Sequence, residues 1–221
     1  MNKIVILFPG SFKPFHMGHL ILLHKYIKYA IENYNESYNR PAIDVKIIIS
    51  KKDREFINAQ STVNFLNDIK KYLVSDYSYW YGQTNKKYIP YANTNVDFYI
   101  TECDSPIQEC YRIVNESKAR ETKFMLVTSN KSFDLNRQHE MVMAFNYAGK
   151  YFKGFNKILK TNPATVAQVH VNGKCLNATY LRDCVKLDAM TGFIDCYDGN
   201  IEREILEKYY KNLKALRNEK G

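Results

Sequence analysis

The densest chemistry in the sequence lies near its start, in Gly10-Ser11-Phe12-Lys13-Pro14-Phe15-His16-Met17-Gly18-His19. An apolar run, Ile4 to Phe8, stands directly before it and reads as a buried strand ended by Pro9-Gly10. From Gly18 onward the pattern turns helical. A strand that passes through a glycine-rich turn into a helix gathers backbone N–H groups at a helix N-terminus, which is an anion site. Gly10 permits a tight turn and close approach of a ligand, and Pro14 stiffens the loop. His16 and His19 sit across the helix start at a spacing that lets both rings point to one side. Two imidazoles placed there can donate to phosphate oxygens, and such donors stabilise the charge that builds during phosphoryl transfer. Packing or capping is the plain alternative for either ring. A His-x-x-His metal pair is the third, and no nearby carboxylate or cysteine completes a zinc set. Gly10, Phe12, Pro14, His16, Gly18 and His19 taken together, directly after a buried strand, favour phosphate. His24, on the same helix, reads as structural.

The elements that must position this loop follow from hydrophobic periodicity. Leu20, Leu23, Ile27 and Ala30 share one helical face. Val45 to Ile49 is a second buried strand, followed by a helix marked by Val63, Leu66, Ile69 and Leu73. Val96 to Ile100 is a third strand, and Pro106 fits the first turn of the helix after it, where its missing N–H is not needed. Phe124-Met125-Leu126-Val127 makes a fourth strand, with a helix through Met141, Phe145 and Ala148. Val166 to Val171 is a fifth strand, and Thr179 to Lys186 a short helix. Strand and helix alternate, which predicts an α/β fold with a doubly wound, Rossmann-like, parallel five-stranded sheet. Residues 76–94, rich in Tyr, Gly, Asn and Thr, read either as a lid that stacks on a ring or as a solvated insertion with packed aromatics; the insertion is favoured. Over residues 200–217, Ile201, Ile205, Tyr209, Leu213 and Leu216 form an apolar stripe. Glu202 and Glu204 lie at the start and Lys211, Lys214 and Arg217 toward the end, as the helix dipole prefers. This is a terminal helix packed on the domain or on a second subunit, so a homo-oligomer stays open. No internal repeat or linker interrupts the chain, and residues 1–221 read as one domain.

Bulk composition sets the limits. The chain has 221 residues, 45% of them apolar and 14% aromatic, enough for a real core. Its 32 basic and 23 acidic residues leave a formal charge of +9, which suits a phosphate-rich partner. The basic residues are spread along the sequence rather than gathered in one arm, which argues against a nucleic-acid partner. The five cysteines are odd in number and include no C-x-x-C pair, which reads as reduced thiols in a cytoplasmic protein rather than a zinc site or disulfide framework. The Ile4–Phe8 run is too short for a signal segment or a membrane span.

The Gly10–His19 string resembles the first signature of the HIGH-type nucleotidyltransferases, the cytidylyltransferase-like superfamily. Members transfer a nucleoside monophosphate from ATP or CTP to a phosphate-bearing acceptor and release pyrophosphate. The resemblance implies that Gly10, Ser11, Phe12, His16, Gly18 and His19 bind the nucleotide, with His16 and His19 on the triphosphate. The acceptor phosphate then attacks the α-phosphorus directly, so catalysis is mostly positioning and charge stabilisation. The family's second signature, Ile-Ser-(Ser/Gly/Ala)-Thr-x-x-Arg, is similar to Leu176-Asn177-Ala178-Thr179-Tyr180-Leu181-Arg182. This implies a second helix N-terminus on the distal phosphates, with Thr179 and Arg182 in place and Arg182 joining the two histidines in catalysis. Asn177 stands where the family has Ser, and Asn also caps helices. After the second strand, Ser50-Lys51-Lys52-Asp53-Arg54 lies at the carboxyl edge of the sheet, where ligands bind. Relatives often place a basic residue there for the acceptor phosphate, so Lys51, Lys52 and Arg54 are acceptor candidates along with Lys13; a solvated basic loop is the alternative. Relatives commonly carry Gly-x-Asp after the fourth strand. This chain has Thr128-Ser129-Asn130, then Asp134 and Arg137, and Arg137 is a further candidate. The resemblance spans about residues 3–187.

Pro-Phe-His-x-Gly-His and Ala-Thr-x-x-Arg look closest to adenylyltransferases of the nicotinamide mononucleotide type, and Ser50-Lys51-Lys52 is similar to phage-encoded members, whose setting is the host cytoplasm. The expectation is ATP, Mg²⁺ carried with the triphosphate, and nicotinamide mononucleotide as acceptor. Phosphopantetheine, or a phosphorylated alcohol with CTP, remains open. A nucleotide-binding regulator without chemistry is a reading of another class. A fragment related to class I aminoacyl-tRNA synthetases is a third; it needs a Lys-Met-Ser-Lys-Ser-like loop, and none is found.

Overall fold

The computed structural model describes residues 3–34, 41–75, 90–118, 122–127, 158–159, 170–171, 174–175, 177–197 and 201–220. Four strands form a parallel sheet: β1 (Lys3–Gly10), β2 (Ala42–Ile49), β3 (Thr94–Ile100) and β4 (Thr122–Leu126), in the order β3-β2-β1-β4. Beyond β4, Ile158 makes a single parallel bridge to Phe124, and Leu159 N donates to Phe124 O at 2.8 Å. Among the described residues there are seven helices: α1 (Met17–Asn33), α2 (Ala59–Asp68), α3 (Lys70–Leu73), α4 (Pro106–Glu116), α5 (Ala178–Lys186), α6 (Met190–Asp195) and α7 (Arg203–Lys220). His170–Val171 (β5) and Lys174–Cys175 (β6) form a separate antiparallel pair. The fifth strand expected over Val166–Val171 thus lies mostly outside the described residues, and its described end pairs with β6. The expected helix through Met141, Phe145 and Ala148 lies outside them too, as do residues 76–89 of the aromatic segment.

Strand periodicity divides the core between the two faces of the sheet. On β1, Ile4, Ile6 and Phe8 join β2's Val45 and Ile47 in a cluster that α1, α2, α3, α5, α6 and α7 cover. Val5 and Leu7 point the other way, to β2's Ile48, β4's Phe124 and Leu126, and Cys110, Tyr111 and Val114 of α4. Both faces being covered explains why β1 reads as an unbroken apolar run from Ile4 to Phe8. The predicted α1 positions Leu20, Leu23, Ile27 and Ala30 are all buried. The helix predicted from Val63 to Leu73 is broken at Ile69, where φ is −102° and ψ 12°, yet Ile69 stays in the core. α6 has no counterpart in the sequence reading: it is a six-residue helix containing Gly192, too short to show a period. The terminal stripe packs on this chain's own core. The Tyr209 ring lies flat on Phe65, with centroids 3.8 Å apart and planes 5° from parallel. No helix among the described residues is long and apolar enough to cross a membrane.

Candidate functional site

Parallel register brings the carboxyl ends of the strands together. Gly10 pairs with Ile49 in register, Ser50 N donates to Gly10 O at 2.9 Å, and Val127 N donates to Leu7 O at 2.8 Å. Residues 10–16 leave this edge and enter α1. Phe12 takes φ 53°, the left-handed region that favours glycine, and its ring is buried against Phe8 (4.9 Å), Phe15 (5.7 Å) and His19 (5.0 Å). Gly10 must lack a side chain: a Cβ there would lie 2.6 Å from Phe12 Cζ and within 2.9 Å of two more ring carbons.

His16 is the N-cap of α1, and the two histidines cap each other's backbone. His16 Nδ1 accepts from Gly18 N at 3.1 Å, and His19 Nδ1 accepts from His16 N at 3.2 Å. Their rings stack with centroids 3.7 Å apart. With both Nδ1 atoms accepting N–H, the neutral tautomer of each ring carries its proton on Nε2. The capping alternative and the phosphate reading are therefore compatible: capping fixes the tautomer that makes each Nε2 a donor.

The second helix N-terminus is built as the sequence predicted. Asn177 caps α5, its Oδ1 accepting from Tyr180 N at 2.9 Å. Thr179 and Asn177 are exposed, whereas Arg182 is only 6% exposed. The Arg182 guanidinium joins three parts of the chain. Nη1 donates to Lys13 O at 2.9 Å, Nη2 to Thr179 Oγ1 at 3.0 Å, and Nε to Glu55 Oε1 at 2.7 Å. Two strings 169 residues apart are thereby fastened together.

The acceptor candidates part company. Lys13 is 2% exposed, and its Nζ donates to Ser50 O at 2.7 Å and also to Lys52 O, so it ties the loop to the turn after β2. Burial pushes its ammonium below the usual lysine range, with Asp53 partly opposing. Lys51 reaches toward the turn after β3, its Nζ 3.6 Å from Asp104 Oδ1. Lys52 and Arg54 are exposed on the edge itself, the latter in a backbone bridge with Ile57. Arg137, with Thr128-Ser129-Asn130 and Asp134, lies outside the described residues. Ser11 is exposed on the loop and Gly18 lies in the first turn of α1, where a Cβ would come 3.0 Å from His16 Cε1.

Several residues with a hand in this site escaped the sequence reading. Glu55 bonds Arg182 and, through Oε2, Lys186 Nζ at 2.7 Å. The hydrogen bond from Lys186, helped by Arg182 and opposed by burial, holds its carboxyl below the usual range. Thr62 Oγ1 donates to Phe12 O at 3.1 Å, and Tyr197 Oη donates to Phe15 O at 2.6 Å. Only Glu55 left a trace, as the carboxylate that follows the Ser50–Arg54 basic turn.

Fold and site together define an α/β protein whose parallel sheet carries, at its carboxyl edge, a loop rich in hydrogen-bond donors between two capped helix N-termini. Comparison with protein-family models finds no matching family, and comparison with curated proteins finds no match.

Proposed function

We propose that this chain is a nucleotidyltransferase that transfers AMP from ATP to a phosphate-bearing acceptor and releases pyrophosphate, with nicotinamide mononucleotide the leading acceptor. The observation that carries the reading is the bond from Arg182 Nη1 to Lys13 O at 2.9 Å, which puts the second donor string on the loop that leads into His16 and His19. We read the sheet as the four described strands of a doubly wound, Rossmann-like, five-stranded one. Helices on both faces and the parallel bridge of Ile158 beside β4 support that reading.

In this reading the triphosphate lies across the loop. Nε2–H of His16 and of His19, the Thr179 hydroxyl and Arg182 donate to its oxygens. An acceptor phosphate oxygen attacks the α-phosphorus, and the bond to the bridging oxygen breaks. The electron pair leaves on pyrophosphate, where the same donors gain strength as charge builds. Lys52 and Arg54, exposed on the edge, face the side from which an acceptor arrives. The donor set of imidazole N–H, hydroxyl and guanidinium is made for phosphate oxygens, so Mg²⁺ fits as a passenger on the triphosphate rather than as a protein-held ion, and bound there it neutralises phosphate charge.

The test is pyrophosphate release from ATP or CTP against nicotinamide mononucleotide, nicotinate mononucleotide, phosphopantetheine and glycerol 3-phosphate. ATP with nicotinamide mononucleotide should turn over, and His19→Ala should abolish turnover while melting as a folded protein. Nucleotide binding without turnover on any acceptor would replace the enzyme with a nucleotide-binding regulator.

A further inference from the structure

A carboxylate already occupies the arginine that the proposed reaction uses. Glu55 Oε1 holds Arg182 Nε at 2.7 Å while Oε2 holds Lys186 Nζ at 2.7 Å. The two partners differ in freedom. Arg182 is fixed on three sides and 6% exposed; the Glu55 side chain is 38% exposed and Lys186 lies on the surface of α5. Lys186 is one helical turn beyond Arg182, so a carboxylate leaving the arginine keeps a cation within reach. Glu55 also stands at φ 57°, in the left-handed region, inside the turn closed by the Arg54–Ile57 bridge. A non-glycine residue holds that conformation only where its surroundings impose it, and such strain gathers at switch segments. A phosphate oxygen makes the same charge-assisted bond to guanidinium that a carboxylate makes, and two anions on one guanidinium repel each other.

We propose that Glu55 is an internal anion that occupies Arg182 in the resting protein and yields it to the polyphosphate of an incoming nucleotide, retaining Lys186 as its second seat. The proposal rests on the nucleotide-binding reading of the site. It turns binding into an exchange: nucleotide affinity is reduced by the fraction of molecules in which Glu55 holds the arginine. The same exchange run backward helps expel pyrophosphate after transfer, because the returning carboxylate competes for Arg182.

Calorimetric titration with inorganic tripolyphosphate tests it on the full chain, comparing the unmodified protein with Glu55→Gln and Glu55→Gly, each first shown to melt cooperatively. Glu55→Gln removes the charge and keeps the shape; Glu55→Gly removes the carboxylate and relieves the positive φ. Both should bind about three- to tenfold tighter, the scale of one ordinary net hydrogen bond withdrawn from competition, since exposure of the Glu55 side chain screens the charge-assisted part. Binding by the variants but not by the unmodified protein would support the exchange as well. Unchanged or weaker binding by a folded variant, beside an unmodified protein that binds, overturns the exchange and leaves the nucleotide site standing. No binding by any of the three overturns both. Failure of both variants to fold also overturns it, by showing that Glu55 is structural rather than displaceable.

Discussion

Gly10→Ala is the sharpest small test of how the loop is built. The added methyl would lie 2.6, 2.8 and 2.9 Å from three carbons of the Phe12 ring. Carbon atoms in favourable contact stand about 3.5–4.0 Å apart, so the ring must retreat by about 1 Å. It has nowhere simple to go, because Phe8, Phe15 and His19 surround it at centroid distances of 4.9, 5.7 and 5.0 Å. Overpacking of this kind costs about 1–3 kcal/mol. For a chain of this size, that lowers Tm by roughly 2–12 °C. The displaced ring also leans on His19, and a misplacement of about 1 Å can cost as much as roughly a hundredfold in rate. Thermal melting and ATP binding by calorimetry would both be read. Gly192→Ala is the control. Its methyl would meet Cys184 Sγ at 3.6 Å and Tyr180 Oη at 3.8 Å, which is ordinary contact. It also gains the helix preference of alanine, about 0.5–1 kcal/mol. A Gly10→Ala protein that melts and binds like the unmodified chain would refute the account of the loop, as would a control that loses more than it does.

Two further predictions follow from the buried members of two ion pairs, Arg182 and Glu109. Arg182→Met removes three hydrogen bonds and leaves Lys13 O and Thr179 Oγ1 without this donor, so urea unfolding should show a loss of about 2–4 kcal/mol together with loss of ATP binding. Arg182→Lys should restore little of either, because an ammonium lacks the planar fork that reaches three directions, and full rescue would refute this reading. The second concerns acid. Glu109 is fully buried and accepts from Cys103 Sγ at 3.0 Å and Arg112 Nε at 3.3 Å. Burial pushes its carboxyl upward, but the bonds from Arg112 and Cys103 outweigh this and hold it below the usual range. A depressed folded value means that its contribution is present above the unfolded value of about 4.3 and is lost as pH falls through the folded one. Melting curves of the unmodified chain and Glu109→Gln should therefore differ at neutral pH and draw steadily closer as pH falls below the unfolded value of about 4.3. A gap that does not change with pH would refute it.

What the sequence displayed was whatever has a local period or a fixed string. β1 was legible because burial on both faces makes it a continuous apolar run, β2 because it ends in Ile47-Ile48-Ile49, and α1 because Leu20, Leu23, Ile27 and Ala30 repeat at the helical spacing. His16, His19, Thr179 and Arg182 were legible because their spacing is set by one turn at each helix start. Lys13 could not be read this way. A lysine in a phosphate loop looks like a ligand contact, but its ammonium is spent on carbonyls 37 and 39 residues distant. Glu55 was hidden one residue past a basic turn, since its partners lie 127 and more residues away on α5. Thr62 and Tyr197 had no local signal, because each matters only for the carbonyl that tertiary packing sets before its hydroxyl.

Those tethers share a direction, and it bears on anion binding. The carbonyls of Gly10, Phe12, Lys13 and Phe15 accept from Ser50 N, Thr62 Oγ1, Arg182 Nη1 and Tyr197 Oη respectively. A carbonyl oxygen turned toward a phosphate would repel it, so each one bound to an internal donor removes a source of repulsion. The donors come from the turn after β2, from α2, from α5 and from the end of α6, none of which belongs to the loop itself. On the proposed function, the quality of the anion site is thus decided partly by residues that need never touch the anion. Two of the four tethers arise within residues 177–197, so the carbonyls of Lys13 and Phe15 are held by α5 and the end of α6. If the proposed function holds, the Gly10–His19 string is half of a site whose other half includes Arg182 and Tyr197, which bind the carbonyls of Lys13 and Phe15.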